Sequence, residues 1–417
     1  MKLTLRQIRK FVLLIIFALF FGGVGFWLGQ RQISFKIEKL KPEIKIERKL
    51  PSSKEGIDFN LFWDVWDRLS LSFLERKKMD PVKMVYGAIS GMVSSLGDPY
   101  TVFLPPSENK QVKEDLNGSF EGVGIQLGYK DGKLAVIAPL TGMPAEKAGV
   151  KAGDLILRIV DESKKIDKDT SGLSLPEAVS LIRGPKGSEV KLTFQREGVK
   201  EPFEVSLKRE TIVVKSVELK WVEKNNKKVA VLKLSRFGER TAQEWEEAIK
   251  QITNYKLQIT NYRGIVLDVR NNPGGFLTGS VFIASEFLED GVVVQQDKGT
   301  DGKETYSVNR KGSLLDDPMI VLVNGGSASA SEIVAGALQE KNRAKLVGEK
   351  TFGKGTIQEA QDLSGGAGLH ITIARWLLPS GKSVDKEGIK PDFEIKTDEK
   401  DQTKDPQLDK AIELLTK

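Results

Sequence analysis

The stretch Val323-Asn-Gly-Gly-Ser-Ala-Ser-Ala-Ser-Glu-Ile333 decides how this chain is read. An apolar strand over residues 319–323 runs through small residues directly into an Ala-rich helix over residues 330–339. One serine of the run then stands at the turn with its hydroxyl free and helix amides behind it, and the unpaired N–H groups of a helix start can meet a developing oxyanion. The same letters carry a plainer reading, because Ser is a common helix cap and Ser-x-x-Glu is a capping pattern. Three serines exceed what one cap requires, and this stretch alone leaves the choice among them open.

Outward from that turn, strands and helices alternate. A helix over residues 242–252 precedes a strand over 264–269, and a further strand covers 345–348, which predicts a sheet with crossover helices from residue 209 onward. A Gly-rich turn, Leu267-Asp-Val-Arg-Asn-Asn-Pro-Gly-Gly275, also follows a strand. Gly274 and Gly275 can expose an N–H to an oxyanion or serve as a plain turn, with Asp268 and Arg270 supporting it. The repeat Gln251-Ile-Thr-Asn-Tyr, copied from Gln258, reads as a tandem insertion that lengthens the helix-to-strand connection.

A serine nucleophile needs a base. The single histidine, His370, sits in an alternating stretch and reads as a structural strand residue. A lysine serves instead when desolvation leaves its amine neutral. Lys354, in Gly348-Glu-Lys-Thr-Phe-Gly-Lys-Gly-Thr-Ile-Gln358, lies between Gly353 and Gly355, which allow close approach of backbone and substrate. This stretch nearly matches a phosphate-binding loop, but Gly355 stands where Ser or Thr should hold Mg²⁺ and no long helix follows, so a nucleotide site is set aside.

Before residue 209 the texture differs. Residues 59–74 and 81–95 show helical periodicity and end at the breaker Leu96-Gly-Asp-Pro99. From Gly118 short apolar runs alternate with Gly, with short helices over residues 144–148 and 175–182. The loop Gly122-Val123-Gly124-Ile125 precedes a strand, and its consecutive amides can hold a terminal carboxylate while a peptide adds to the strand edge. Leu175, Val179 and Ile182 form an apolar helix face that either favours an apolar last residue or packs inward. Arg183 closes that helix, as a charged contact to the domain that follows or as a cation at a helix C-terminus.

Composition narrows the chemistry. The 417 residues contain no Cys and one His, which excludes disulfides, thiolate nucleophiles and two-histidine metal sites, and no cofactor or metal is expected. The net charge is +7, but residues 1–50 carry eleven basic against three acidic side chains. The body has no basic surplus, so a nucleic-acid partner is not expected. Residues 11–28 form an uncharged run behind Lys2, Arg6, Arg9 and Lys10, as expected of a membrane anchor with a cytoplasmic amino terminus, or of a cleaved signal sequence.

Taken together, Ser-Leu-Gly-Asp-Pro-Tyr100, the Gly122–Ile125 loop, Arg-Asn-Asn-Pro-Gly-Gly275, Gly-Ser-Ala-Ser-Ala-Ser-Glu332 and Thr-Phe-Gly-Lys-Gly-Thr-Ile-Gln358 resemble the carboxyl-terminal processing peptidases, PDZ-containing serine proteases with a Ser–Lys pair. The resemblance spans residues 57–398. It implies a multidomain α/β (α+β) fold: anchor or signal at 1–30, linker at 31–56, helical segment at 57–110, PDZ domain at 111–208, protease core at 209–398, and a tail or helix at 399–417. It implies Ser329 as nucleophile, Lys354 as general base, Gln358 as the residue orienting the lysine, and Ala330 with Gly274 or Gly275 as oxyanion donors. Ser327 and Ser331 are then structural. The implied activity is that of an extracytoplasmic endopeptidase that binds unfolded carboxyl-terminal protein tails, and a homo-oligomer is left open. The alternative is a membrane-anchored PDZ adaptor without catalysis.

Overall fold

The computed structural model of the chain describes residues 32–38, 41–47, 59–397, 401 and 404–417. The expected anchor over residues 11–28 lies outside them, and among the described residues no helix is long and apolar enough to cross a membrane. The chain divides into two units, residues 1–84 and 85–417.

In the first unit, the strands Gln32–Glu38 and Lys41–Glu47 form an antiparallel ladder that aligns Ile33 with Ile46 and Phe35 with Ile44. These strands occupy part of residues 31–56, which the sequence reads as a linker. The charged and polar letters of both strands alternate with apolar ones at every second position, the period of a strand. The helix Asn60–Ser72 follows.

In the second unit, the helix Pro106–Asn117 leads into a six-stranded sheet ordered Phe203–Lys208, Glu189–Gln195, Leu155–Asp161, Lys133–Pro139, Ile125–Lys130, with Ile166–Asp169 paired to Leu155–Asp161. Inward residues such as Val136, Ile156, Ile159, Leu192 and Phe194 form its core with Ala178 and Ile182 of the helix Leu175–Ile182. Ser174 starts that helix: its N–H and hydroxyl both donate to Glu177 Oε2, at 2.9 and 2.7 Å. The strand Ile125–Lys130 is a sheet edge. The chain enters and leaves this domain through one ribbon, Ser119–Gly122 against Glu210–Val213.

The remainder is built on a sheet ordered Val217–Lys224, Lys227–Leu234, Tyr262–Asp268, Met319–Val323, Lys345–Gly348, Phe393–Glu394, parallel after its first pair. Met319–Val323 shows why both faces need cover. Met319, Val321 and Val323 pack into the core with the helices Thr241–Lys256, Leu277–Ala284 and Ala330–Glu340, whereas Ile320 and Leu322 join the core beneath the helix Pro406–Thr416. A strand buried on both faces reads as a continuous apolar run. A second, antiparallel sheet holds Lys303–Ser307, Val292–Asp297, Gly368–Leu377 and Thr356–Asp362, with Val102–Leu104 added beside Gly368–His370.

The repeat is not a connection alone. Its first copy continues the helix to Lys256, with Ile252 fully buried, and its second runs into the strand Tyr262–Asp268. The ring of Tyr255 packs 4.5 Å from Trp221, and that of Tyr262 lies 6.2 Å from the same indole. The repeat thus spans the end of the helix and the start of the strand, with Ile252 and Tyr255 of its first copy on the helix face turned to the sheet.

Candidate active site

The three serines separate cleanly by burial. Ser327 and Ser331 are fully buried, and their hydroxyls donate to Val269 O at 2.8 Å and Asn272 O at 2.9 Å, stitching the turn before the helix onto the loop after Asp268. Asn324 adds to the seam, accepting the Asn271 N–H at 2.8 Å and donating to Asn271 Oδ1 at 2.8 Å. Ser329 alone is only half-buried. Its backbone has φ 55° and ψ −116°, a conformation that costs a non-glycine residue roughly 1–3 kcal/mol and persists only where the surroundings impose it.

Glu332 imposes it. This carboxylate is fully buried, and Oε2 accepts the Ser329 N–H at 2.8 Å and the Lys354 N–H at 3.0 Å. Oε1 accepts the Gly353 N–H at 2.7 Å and the Thr351 hydroxyl at 2.6 Å. The Ser-x-x-Glu pattern is therefore a helix start and a clamp on the lysine loop at once. Trp376 Nε1 donates to Lys354 O at 2.7 Å from the second sheet, closing the loop's other side.

Lys354 is half-buried, with Nζ 5.0 Å from the centre of the Tyr100 ring. Burial pulls its amine below the ordinary lysine value, and the Asp98 carboxylate works against that drop. No hydrogen bond joins Ser329 Oγ to Lys354 Nζ among the described residues; such contacts are often long before substrate binds. Gln358 differs from expectation. Its amide donates to Thr356 Oγ1 at 2.9 Å and Thr372 Oγ1 at 3.1 Å, and no hydrogen bond reaches the lysine, because the strand Thr356–Asp362 turns the side chain toward its neighbouring strand. His370 lies in the strand Gly368–Leu377, and burial, then the charge of Lys354, hold its imidazole below the ordinary value.

Two backbone donors remain for an oxyanion. The Ala330 N–H is the first of its helix, and among the described residues no hydrogen bond engages it. Gly274 lies against it: a Cβ there would fall 2.9 Å from Ser329 Cβ and 3.1 Å from Ala330 N, at a φ of +103° that side chains rarely adopt. The Gly274 N–H is spent on Asn272 Oδ1 at 2.9 Å, whereas the exposed Gly275 N–H carries no such bond. Asp268 and Arg270 are structural, the guanidinium forking onto Asp268 and onto Asp405 ahead of the last helix.

In the six-stranded domain, no hydrogen bond from the described residues engages the N–H groups of Val123 and Gly124. Gly124 has φ +73°, and a Cβ would meet Met143 Cβ at 2.3 Å. Leu175 and Val179 line a cleft of about 550 Å³ together with Glu114 and Arg183. Ile182 is 4% exposed and packs into the core of this domain, the inward of the two readings open for that helix face. Leu175, two turns earlier on the same face, packs partly against that core and partly lines the cleft, so the face passes from cleft to core along the helix. Among the described residues, no hydrogen bond or ion pair joins the Arg183 side chain to residues 209–398. It pairs with Glu114 at 2.9 Å, its guanidinium 4.1 Å from the Phe120 ring centre, and the same helix reaches the second sheet through Lys113 and Asp362 at 2.6 Å.

Sequence reasoning missed Glu332 as a clamp and Tyr100 as a neighbour of the lysine. The capping pattern was the signal for the first, and the motif Ser-Leu-Gly-Asp-Pro-Tyr100, which holds the breaker, for the second.

Comparison with known proteins accords with this geometry. The profile of peptidase family S41 matches residues 228–395, and a PDZ domain profile matches residues 136–196. The chain is 37% identical over 349 residues to the carboxy-terminal processing protease CtpA of Bacillus subtilis (strain 168), covering 82% of this chain and 71% of that protein. It is 33% identical over 381 residues to CtpB of the same organism, covering 91% and 76%. Among solved structures, a putative S41 protease from Bacteroides fragilis NCTC 9343 superposes with a TM-score of 0.53 at 17% identity, over 84% of this chain and 96% of that one, a likeness of fold. With a PDZ domain ahead of an S41 core and relatives this similar along most of their length, the chain belongs to the carboxy-terminal processing proteases of peptidase family S41 and is a serine-type peptidase.

Proposed function

We propose that this peptidase is an endopeptidase that captures the carboxyl-terminal tail of a protein on its PDZ domain and cleaves near it with Ser329 and Lys354. The observation that carries the reading is the shared carboxylate oxygen of Glu332, which ties the one unburied serine of the run to the half-buried lysine. Neutral Lys354 takes the proton of Ser329 Oγ as that oxygen bonds to the peptide carbonyl carbon. The N–H groups of Ala330 and Gly275 receive the oxyanion. Collapse breaks the C–N bond, the Lys354 ammonium returns its proton to the leaving amine, and water, deprotonated by the lysine, then releases the acyl group from Ser329.

The tail adds as a strand beside Ile125–Lys130, its carboxylate on the N–H groups of the Gly122–Ile125 loop, and Leu175 and Val179 receive its last side chain. Arg183, through Glu114, is the regulatory link between tail binding and cleavage. The charge pattern of residues 1–28 supports an anchored protein with its body outside the cytoplasm, or a secreted one if that segment is removed. A burst of acyl-enzyme with an activated ester tests the pair: it should vanish in Ser329→Ala and in Lys354→Ala, and a burst that survives either change overturns the assignment.

A further inference from the structure

The surroundings of the Lys354 amine include a turn that lies ahead of the region matched to the S41 family. The Asp98 carboxylate accepts the Tyr100 N–H at 3.1 Å and the Thr101 hydroxyl at 2.6 Å, which fixes the turn. Thr101 is buried, its Oγ1 accepts the Thr372 N–H at 3.0 Å, and Thr372 Oγ1 accepts from Gln358. The next residues, Val102–Leu104, pair with Gly368–His370. The turn is thus bonded into the sheet that follows the lysine loop, and it holds the Tyr100 ring 5.0 Å from Lys354 Nζ. A ring face at that distance attracts an ammonium.

We propose that the Asp98-Pro99-Tyr100 turn is a positioning element for the general base, in which the Tyr100 ring supports the Lys354 ammonium and the Asp98 carboxylate supplies the opposing charge. The inference rests on Lys354 being that base. Each acylation charges the amine when it takes the serine proton, and an amine buried with nothing to receive that charge is a weak base. Burial and Asp98 act on Lys354 in opposite directions, so the turn offsets what burial removes. Burial works to raise the Asp98 carboxyl, but hydrogen bonds from Thr101, Thr372 and Tyr100 outweigh it and keep the carboxyl below its ordinary value, hence charged. The other titratable groups do not replace it. His370 is disfavoured as a cation by burial and by Lys354, and burial with the charges of Asp385, Glu332 and Asp98 pushes the Tyr100 phenol up, so it stays protonated. The oxygens of Glu332 are occupied by three backbone N–H groups and Thr351.

The test is the pH dependence of kcat on a peptide substrate, using the full chain and the variants Tyr100→Leu, Tyr100→Phe, Asp98→Asn and His370→Ala, each with a thermal melt. Asn keeps one acceptor oxygen for the Tyr100 N–H and places an amide N–H toward the Thr101 hydroxyl, which can accept it, so the charge is removed at the cost of reversing one hydrogen bond, and the thermal melt reads that cost. Losing a group that favours the charged amine lowers its pKa. Tyr100→Leu and Asp98→Asn should therefore each move the acidic limb to lower pH, by roughly half a unit or more, and lower the plateau kcat several-fold with little change in KM. Tyr100→Phe, which retains the ring, and His370→Ala should keep the limb in place. An unmoved limb in folded Tyr100→Leu and Asp98→Asn enzymes overturns the proposal, whatever the plateau does. If Tyr100→Leu does not fold, Asp98→Asn decides alone. Turnover retained by Lys354→Ala would instead overturn the base assignment, an outcome read without reference to the turn.

Discussion

Ser329 and Lys354 hang from one atom: the backbone N–H groups of both donate to Glu332 Oε2, at 2.8 and 3.0 Å, although the residues lie on separate loops of the sheet. The distance between nucleophile and lysine is thereby set by backbone hydrogen bonds to a buried carboxylate, and the two side chains keep their own freedom. Charge-assisted hydrogen bonds of this kind are about twice as strong as neutral ones.

Replacing Glu332 by Gln leaves one acceptor oxygen where two serve four donors. The expected cost is about 1–3 kcal/mol for the donors left unmet, with a loss of kcat at least tenfold and a smaller change in KM. Denaturant melts and steady-state kinetics check both, and an enzyme with normal kcat would show that the clamp does not govern the pair.

The serines should part company under mutation. Ser329→Ala abolishes cleavage with little change in melting temperature, since its hydroxyl bridges no buried carbonyl. Ser331→Ala strips the buried Asn272 carbonyl of its donor and should cost about 1–3 kcal/mol. Equilibrium unfolding of the two variants distinguishes them, and substantial turnover by Ser329→Ala would refute its role.

Activity should rise with pH as Lys354 loses its proton. Stability follows the same sign. The folded-state value lies below the unfolded one, so the unfolded chain binds more protons between the two and stability grows as pH rises through that window. Below both values the full penalty of a buried charge remains. Lys354→Met removes it, giving an inactive protein that is more stable than the parent at neutral pH, with the difference shrinking as the solution is made alkaline. Melting temperatures across that range measure it, and a gap that widens would contradict the burial account.

Amidating the tail of a substrate should raise its KM, because the amides of Val123 and Gly124 then face no carboxylate. Competition between free and amidated peptides is the measurement, and equal turnover of the two would refute tail capture.

Arg183→Ala and Glu114→Gln should each reduce cleavage of tethered protein substrates while tail affinity hardly changes. If the 2.9 Å pair carries the coupling, the double variant loses no more than either single one. Additive losses would return Arg183 to a local role at its helix end.

Much of this molecule was legible in its letters because the relevant physics is local. The run of residues 319–323, buried on both faces, has to be a central strand, and the helix after it has to begin near Ala330. The loop before the edge strand follows from its glycines, and the helix Leu175–Ile182 from its apolar face. Local letters could not decide which of three serines keeps its hydroxyl unburied, because Ser327 and Ser331 are taken out of play by carbonyls of Val269 and Asn272, more than fifty residues away. Nor could they show that Ile182 faces the core, that Gln358 turns to Thr372, or that Tyr100 stands under Lys354. Each depends on the direction a side chain takes once two sheets and a domain are packed together. Local letters specify the elements and the chemistry they offer; which groups meet is settled by packing, because hydrogen bonds and burial between distant segments exist only after the chain has closed.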